Sequence, residues 1–232
     1  MTTVLGIHVP RENRIVLASD RQGTFLDAHE KMPAQKIYVS KNKAYAFGVS
    51  GHIDQKSLGL MEKLANGQID VNNLVAGKRF NELRDLNIDQ MGDRDPELKK
   101  LTNMLLAIRK GDNKGLYSCL PMGAVDSMFT TFVGSGSKFV EEYFKAKRIV
   151  GFVEGRPSLI QETTTTVEAI ELATNGILYA THRDLYSTGF DLVVISSSGI
   201  ENHTMELSDK GFNRRLKGVQ RKYSPKGNSK RK

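Results

Sequence analysis

Over the first fifty residues apolar runs are short and are cut by turn-forming residues, the pattern of strands rather than helices. Thr3 to Ile7 and Arg14 to Ser19 predict two strands, with Pro10, Arg11, Glu12 and Asn13 in the turn between them. Arg21 to Gln35 is polar and reads as a loop. Lys36 then opens a third strand, Lys-Ile-Tyr-Val-Ser, and Lys41-Asn42-Lys43 turns the chain into a fourth, Ala44 to Val49, which ends at Ser50-Gly51. From Asp54 the period lengthens: Leu58, Leu60, Met61, Leu64 and Ala65 predict a helix that stops near Gly67. Asp70 is placed to cap a second helix, with Leu74, Val75, Phe80, Leu83, Leu86 and Met91 as its apolar positions. Gly92 to Pro96 follows as a loop.

Strand patterns then return. Met104 to Ile108 and Leu116 to Leu120 flank the turn sequence Gly111-Asp112-Asn113-Lys114-Gly115, and Phe129 to Val133 is closed by Gly134-Ser135-Gly136-Ser137. A helix over Lys138 to Arg148 is expected next, with Ser137 near its N-cap. Thr163 to Arg183 carries the clearest helical face of the chain, through Val167, Ile170, Ala173 and Ile177. Asp191 to Ser196 reads as a buried strand, turned at Ser198-Gly199 into a short partner from Ile200. Strands and helices come in blocks, with no internal repeat. That order predicts an α+β fold of packed antiparallel sheets with helical layers and argues against a doubly wound parallel sheet.

Composition adds limits. The 232 residues suit one domain with a sizeable core. No apolar run approaches the ~18 residues of a membrane span, and the N-terminus lacks a signal-peptide pattern. Cys119 is the only cysteine, so no intrachain disulfide or cysteine metal cluster is available. The expectation is a soluble, cytoplasmic protein. Net charge is +8, but Lys217, Arg221, Lys222, Lys226, Lys230, Arg231 and Lys232 supply nearly all of it, with no acid among them. The chain therefore divides into a body, residues 1–208, and a basic tail, residues 209–232, expected to be disordered. The body has no tryptophan and no basic–aromatic alternation, so nucleic acid is not an expected partner. For the tail, a solubilising role weighs at least as much as binding an acidic partner or nucleic acid. His8, His29, His52, His182 and His203 have no ligand spacing, and no Gly-x-Ser-x-Gly elbow is present. No metal or organic cofactor is expected.

The chemistry starts at Met1-Thr2. With no leader before it, removal of Met1 would leave Thr2 carrying both a hydroxyl and a free α-amine, a nucleophile and its base on one residue. Most chains beginning Met-Thr merely expose a polar terminus, so that dipeptide says little without the rest of the chain.

Six stretches then align in order with one family. They are Thr2 to Ile7, Val16-Leu17-Ala18-Ser19-Asp20-Arg21, Lys36-Ile37-Tyr38, Ser50-Gly51, Gly134-Ser135-Gly136-Ser137-Lys138-Phe139, and Arg183 to Asp191 with its Asp-x-x-Ser-x-Gly segment. Over residues 2 to 205 the chain resembles a proteasome β-type subunit, of the N-terminal nucleophile hydrolases; the likeness is weakest between Gly67 and Asn103.

The resemblance implies a four-layer αββα sandwich, two packed antiparallel sheets flanked by helices. It implies a threonine endopeptidase in which Thr2 attacks, Lys36 and Asp20 tune and orient, and Ser135, Asp184 and Ser187 surround the amine. Gly51 would supply the oxyanion N–H. Gly23 and Thr24 would flank the substrate backbone, while Ala34 and Val49 would line a small apolar P1 pocket. Implied partners are an unfolded polypeptide or peptide and further copies of the chain in a ring or stack, with α-type subunits or an ATPase unfoldase as candidates. Two other readings stay open: a non-catalytic structural subunit of the same fold, and an N-terminal-threonine amidohydrolase or ligase for one specific substrate.

Overall fold

The structure, a computed structural model, describes residues 3–24, 31–51, 55–71, 103–109, 115–120, 123–126, 130–147, 151–153, 156–158, 164–182, 189–206 and 211–223. Two five-stranded antiparallel sheets dominate it. The first has the order β10 (Thr130–Val133), β1 (Val4–Val9), β2 (Arg14–Asp20), β13 (Gly189–Ile195), β14 (Ile200–Glu206). The second runs β5 (Ile37–Val39), β6 (Tyr45–Ser50), β7 (Asn103–Ile108), β8 (Gly115–Leu120), β9 (Gly123–Asp126). Among the described residues two short antiparallel ribbons complete the strands, β3 (Gln22–Thr24) with β4 (Lys31–Pro33) and β11 (Gly151–Val153) with β12 (Arg156–Ser158). The α+β expectation is met, and the two sheets are compatible with a sandwich.

The period-2 alternation of side chains sorts each strand between two cores. On the first sheet, Leu5, Ile7, Val16, Ala18, Phe190, Leu192 and Val194 face helices α2 (Ser137–Ala146) and α3 (Thr166–His182). The intervening Ile15, Leu17, Val193 and Ile195 pack instead with Ile37, Ala46, Ala107 and Leu116 of the second sheet. The outer face of that sheet, Tyr45, Phe47, Leu106, Ile108 and Cys119, packs with Met61 and Leu64 of α1 (Gln55–Ala65). Strands buried on both faces read as continuous apolar runs, as Ile15-Val16-Leu17-Ala18 does. Each Ile, Val or Leu side chain so withdrawn from water contributes roughly 1.5–3 kcal/mol. At Gly48 the sheets approach so closely that an added Cβ would stand 2.5 Å from Val4 Cγ1 across the interface.

Several expectations need correction. Arg21 to Gln35 is not simply a loop, because Gln22 to Thr24 pair with Lys31 to Pro33. Ser137 does stand next to the N-cap of α2, but the cap itself is Gly136, with no side-chain cap bond; Ser137 is the first helical residue, its buried Oγ without a partner among the described residues. The strand from Ile200 runs seven residues and pairs fully with β13. The helix expected along Leu74 to Met91 lies outside the described residues, while the one expected to reach Arg148 ends at Ala146, with Lys147 as its C-cap.

The largest correction concerns the tail. Residues Phe212 to Tyr223 form a helix, α4, docked on the body rather than a disordered segment. Phe212, Leu216, Val219 and Tyr223 recur at helical spacing and enter the core beneath α3 and the first sheet. Phe212 meets Phe190 edge to face, and the Arg14 guanidinium lies 5.2 Å over the Tyr223 ring. Four apolar positions in twelve residues suffice to dock a helix, although charge dominates the composition.

Candidate active site

One end of the paired sheets collects Asp20, Lys36, Gly51 and Ser135. Asp20 is the last residue of β2, beside the start of β1, and its N–H bonds Thr3 O at 3.3 Å. It lies opposite Phe190 near the start of β13, and Arg21 N–H donates to Gly189 O at 3.0 Å. Ser135 is the second residue past β10, whose last residue Val133 pairs with Val4, so it sits beyond that strand end. From the second sheet come Lys36, just before β5, and Gly51, just after β6. Val49 N–H donates to Lys36 O at 3.0 Å, which ties those two strand ends together.

At the centre is a buried ion pair. Lys36 Nζ donates to Asp20 Oδ2 at 2.5 Å, and both residues are 4% exposed. Gln22 N–H also donates to Oδ2, at 3.1 Å, and Thr3 N–H donates to Oδ1 at 2.6 Å. With three donors the carboxylate is satisfied on both oxygens, which a buried charge requires. The Thr3 N–H belongs to the peptide bond joining Thr2 to Thr3. Asp20 therefore grips the backbone one bond from the Thr2 residue while fixing the lysine ammonium beside it.

A second buried carboxylate lies close by and was missed in the sequence. Asp191 sits on the inter-sheet face of β13, opposite Ser19 on one neighbouring strand and Thr204 on the other. Thr204 Oγ1 donates to Asp191 Oδ1 at 2.8 Å, and Arg21 Nε stands 3.7 Å from the same oxygen. Burial pushes the Asp191 carboxyl above the usual carboxylate range; Thr204, the Arg21 charge, the Lys36 backbone N–H and the Lys36 ammonium oppose that shift. Asp191 Oδ2 and the facing Ser19 Oγ are buried without hydrogen-bond partners. The signal was present: one charged residue inside the apolar run Phe190 to Ile195 is rare unless something holds it.

The remaining predicted residues divide clearly. Gly51 is exposed at φ 106°, a conformation that L side chains rarely adopt, so glycine is needed there. Gly23 and Thr24 lie on β3, paired with Met32 and Lys31, and that ribbon has no further strand on its other edge among the described residues. Ala34 N–H donates to Arg21 O at 3.2 Å, closing the ribbon back onto the site. Val49 is 2% exposed and packs in the core against α1, so it does not present an open wall. Ser135 is exposed and Gly134 has φ 107°. Thr2, Asp184 and Ser187 lie outside the described residues.

Among the described residues no group of three His, Cys, Asp or Glu side chains is placed to hold a metal, and no helix is long and apolar enough to cross a membrane. Cys119 is buried in β8, and desolvation pushes its thiol up to about 12, which leaves it inert as a nucleophile. No protein-family model matches the chain, and no curated protein matches it in sequence.

Proposed function

We propose that this chain is a threonine endopeptidase of the proteasome type, in which Thr2, freed by removal of Met1, hydrolyses peptide bonds. The observation that carries this reading is the buried Asp20–Lys36 pair, joined through Asp20 to the N–H of Thr3. In the reaction Thr2 Oγ bonds to the peptide carbonyl carbon, and its proton passes to the α-amine, directly or through water. Such an amine, with an ordinary pKa near ~8, can sit partly neutral at pH 7, and a neighbouring Lys36 ammonium would favour its neutral form. Gly51 N–H stabilises the tetrahedral oxyanion, an effect worth roughly 3–4 kcal/mol per donor in comparable sites. Collapse breaks the C–N bond, the amine returns the proton to the leaving nitrogen, and water then hydrolyses the ester by the same route.

The two antiparallel sheets between helices support the αββα sandwich of the N-terminal nucleophile hydrolases as the scaffold. In this reading β3 offers its free edge to an extended peptide, with Gly23 and Thr24 along its backbone. Ala34 contributes a small apolar wall to the P1 pocket, and apolar P1 residues are preferred. Ser135, Asp184 and Ser187 hold the amine and its water. Copies of the chain assemble into a ring or stack that confines the sites, as repeated heterologous contacts do.

Intact mass of the purified assembly should show loss of Met1, and a peptide epoxyketone should add once per chain. An assembly that retains Met1 and stays unlabelled would leave a non-catalytic subunit as the reading. Labelling without cleavage of any peptide in a P1-varied fluorogenic set would favour an amidohydrolase or ligase with one specific substrate.

A further inference from the structure

Helix α4 holds its polar face outward in a fixed orientation, and that face has one sign of charge. Phe212, Leu216, Val219 and Tyr223 define the buried side. At about 100° per residue, Arg214, Lys217 and Arg221 fall on the opposite side, and all three are exposed. Among the described residues none of the three side chains has an ion pair or hydrogen bond. Exposed Arg215 and Lys222 flank the row, Lys222 bridging to Glu201 at 2.5 Å, and the helix contains no acid. Arg214 and Arg221 are roughly 10 Å apart along the axis. Gly218 lies between these cations, with nothing within 4 Å of where its Cβ would be. A glycine inside a helix costs about 1 kcal/mol relative to alanine, and no packing contact explains this one. It leaves the helix backbone open to close approach at the middle of the basic face.

We propose that this face binds the phosphate backbone of a nucleic-acid duplex, without reading bases. Two of the three central cations are arginines, whose planar forks match phosphate oxygens. The only large apolar side chain exposed among the described residues is Leu58, on α1, so the α4 face lacks the apolar anchors on which protein partners dock. Tyr223, the only aromatic beside Phe212 on α4, is buried, so the helix offers no platform for stacking unpaired bases. The docking of α4 turns a basic tail into a preorganised surface, with Lys226, Lys230, Arg231 and Lys232 following in sequence. This surface is independent of the Asp20–Lys36 site.

Fluorescence anisotropy of the full chain with labelled 20-bp DNA and RNA duplexes tests the proposal across a salt series, with poly-glutamate as the acidic-polypeptide control. Binding should weaken steeply with salt, and the duplex bound more tightly identifies the nucleic acid. The full-length variant Arg214→Gln/Lys217→Gln/Arg221→Gln should lose at least about tenfold in affinity, and its log–log salt slope should flatten by about 2–3, close to one per lost phosphate contact. Its melting should be unchanged, because the three side chains touch nothing that folding needs. A second full-length variant replaces Lys226, Lys230, Arg231 and Lys232 by serine. The proposal is overturned if neither duplex binds at low salt, if poly-glutamate binds more tightly than either duplex, or if the serine variant loses binding while the α4 variant retains it.

Discussion

The N–H of Thr3 donates to Asp20 Oδ1 at 2.6 Å while the other oxygen of the same carboxylate takes the Lys36 ammonium at 2.5 Å. One buried side chain thus couples the first described residue of the chain to a lysine on the opposing sheet. Replacing either partner leaves the other charged, buried and unpaired, which costs about 3–5 kcal/mol. Asp20→Asn and Lys36→Met should each lower stability by that order in urea unfolding. The double variant should lose clearly less than the sum, because it removes the stranded charge. Both singles should also slow epoxyketone labelling, and additive losses would show that the pair is not coupled.

Asp191 gives a pH prediction with a definite sign. Its carboxyl is raised in the folded protein, chiefly by desolvation, so the native state holds this proton more tightly than the unfolded chain does. The corresponding stability is fully present below the ordinary carboxylate range and is lost as pH rises through the higher folded value. Asp191→Asn cannot titrate. Urea midpoints of the wild type relative to Asp191→Asn should therefore fall as pH is raised from about 4 towards 7. A wild type that gains on the variant with rising pH would falsify the raised value and mean that Arg21 and Lys36 outweigh burial.

Gly51 should not tolerate a side chain. At φ 106° an L residue is strained by about 1–3 kcal/mol, so Gly51→Ala should destabilise the protein or rotate the peptide to relieve the strain. On the proposed mechanism that rotation moves the oxyanion donor, so kcat should fall by more than KM rises. Peptide hydrolysis by Gly51→Ala at a wild-type kcat would remove Gly51 from the oxyanion role.

Helix α4 belongs to the cooperative unit. Phe212 is 8% exposed and stacks edge to face with Phe190, so Phe212→Ala should cost roughly 3 kcal/mol, the lower end for a buried phenylalanine. Unfolding should remain a single transition. A variant with unaltered stability would mean that the helix is not docked in solution.

The elements with unbroken local patterns were legible from the chain. Strands β1, β2, β6, β7 and β13 fall within a residue or two of their expected bounds, because apolar side chains on both faces leave no competing period. Helix α3 was found from its face but started three residues early. Its true start at Thr166 is set by Thr165 and Glu168, which cap each other reciprocally: Thr165 N–H donates to Glu168 Oε2 at 2.8 Å and Glu168 N–H to Thr165 Oγ1 at 3.3 Å. In a run of four threonines the side chain with a glutamate three positions on identifies the cap.

Local order alone therefore determined the strand and helix blocks and the α+β class, whereas Asp20 and Lys36 were singled out by the resemblance to proteasome β-type subunits. Tertiary structure decided what sequence separation hides. Asp20 and Lys36 become partners only because two sheets stack with those strand ends together, and Asp191 acquires its role only once Thr204, Arg21 and Lys36 surround it. Residues Phe212 to Tyr223 of the tail form a helix because Phe190 and Arg14, distant in sequence, cover its apolar side. Composition averages over both faces of a helix, whereas packing acts on one.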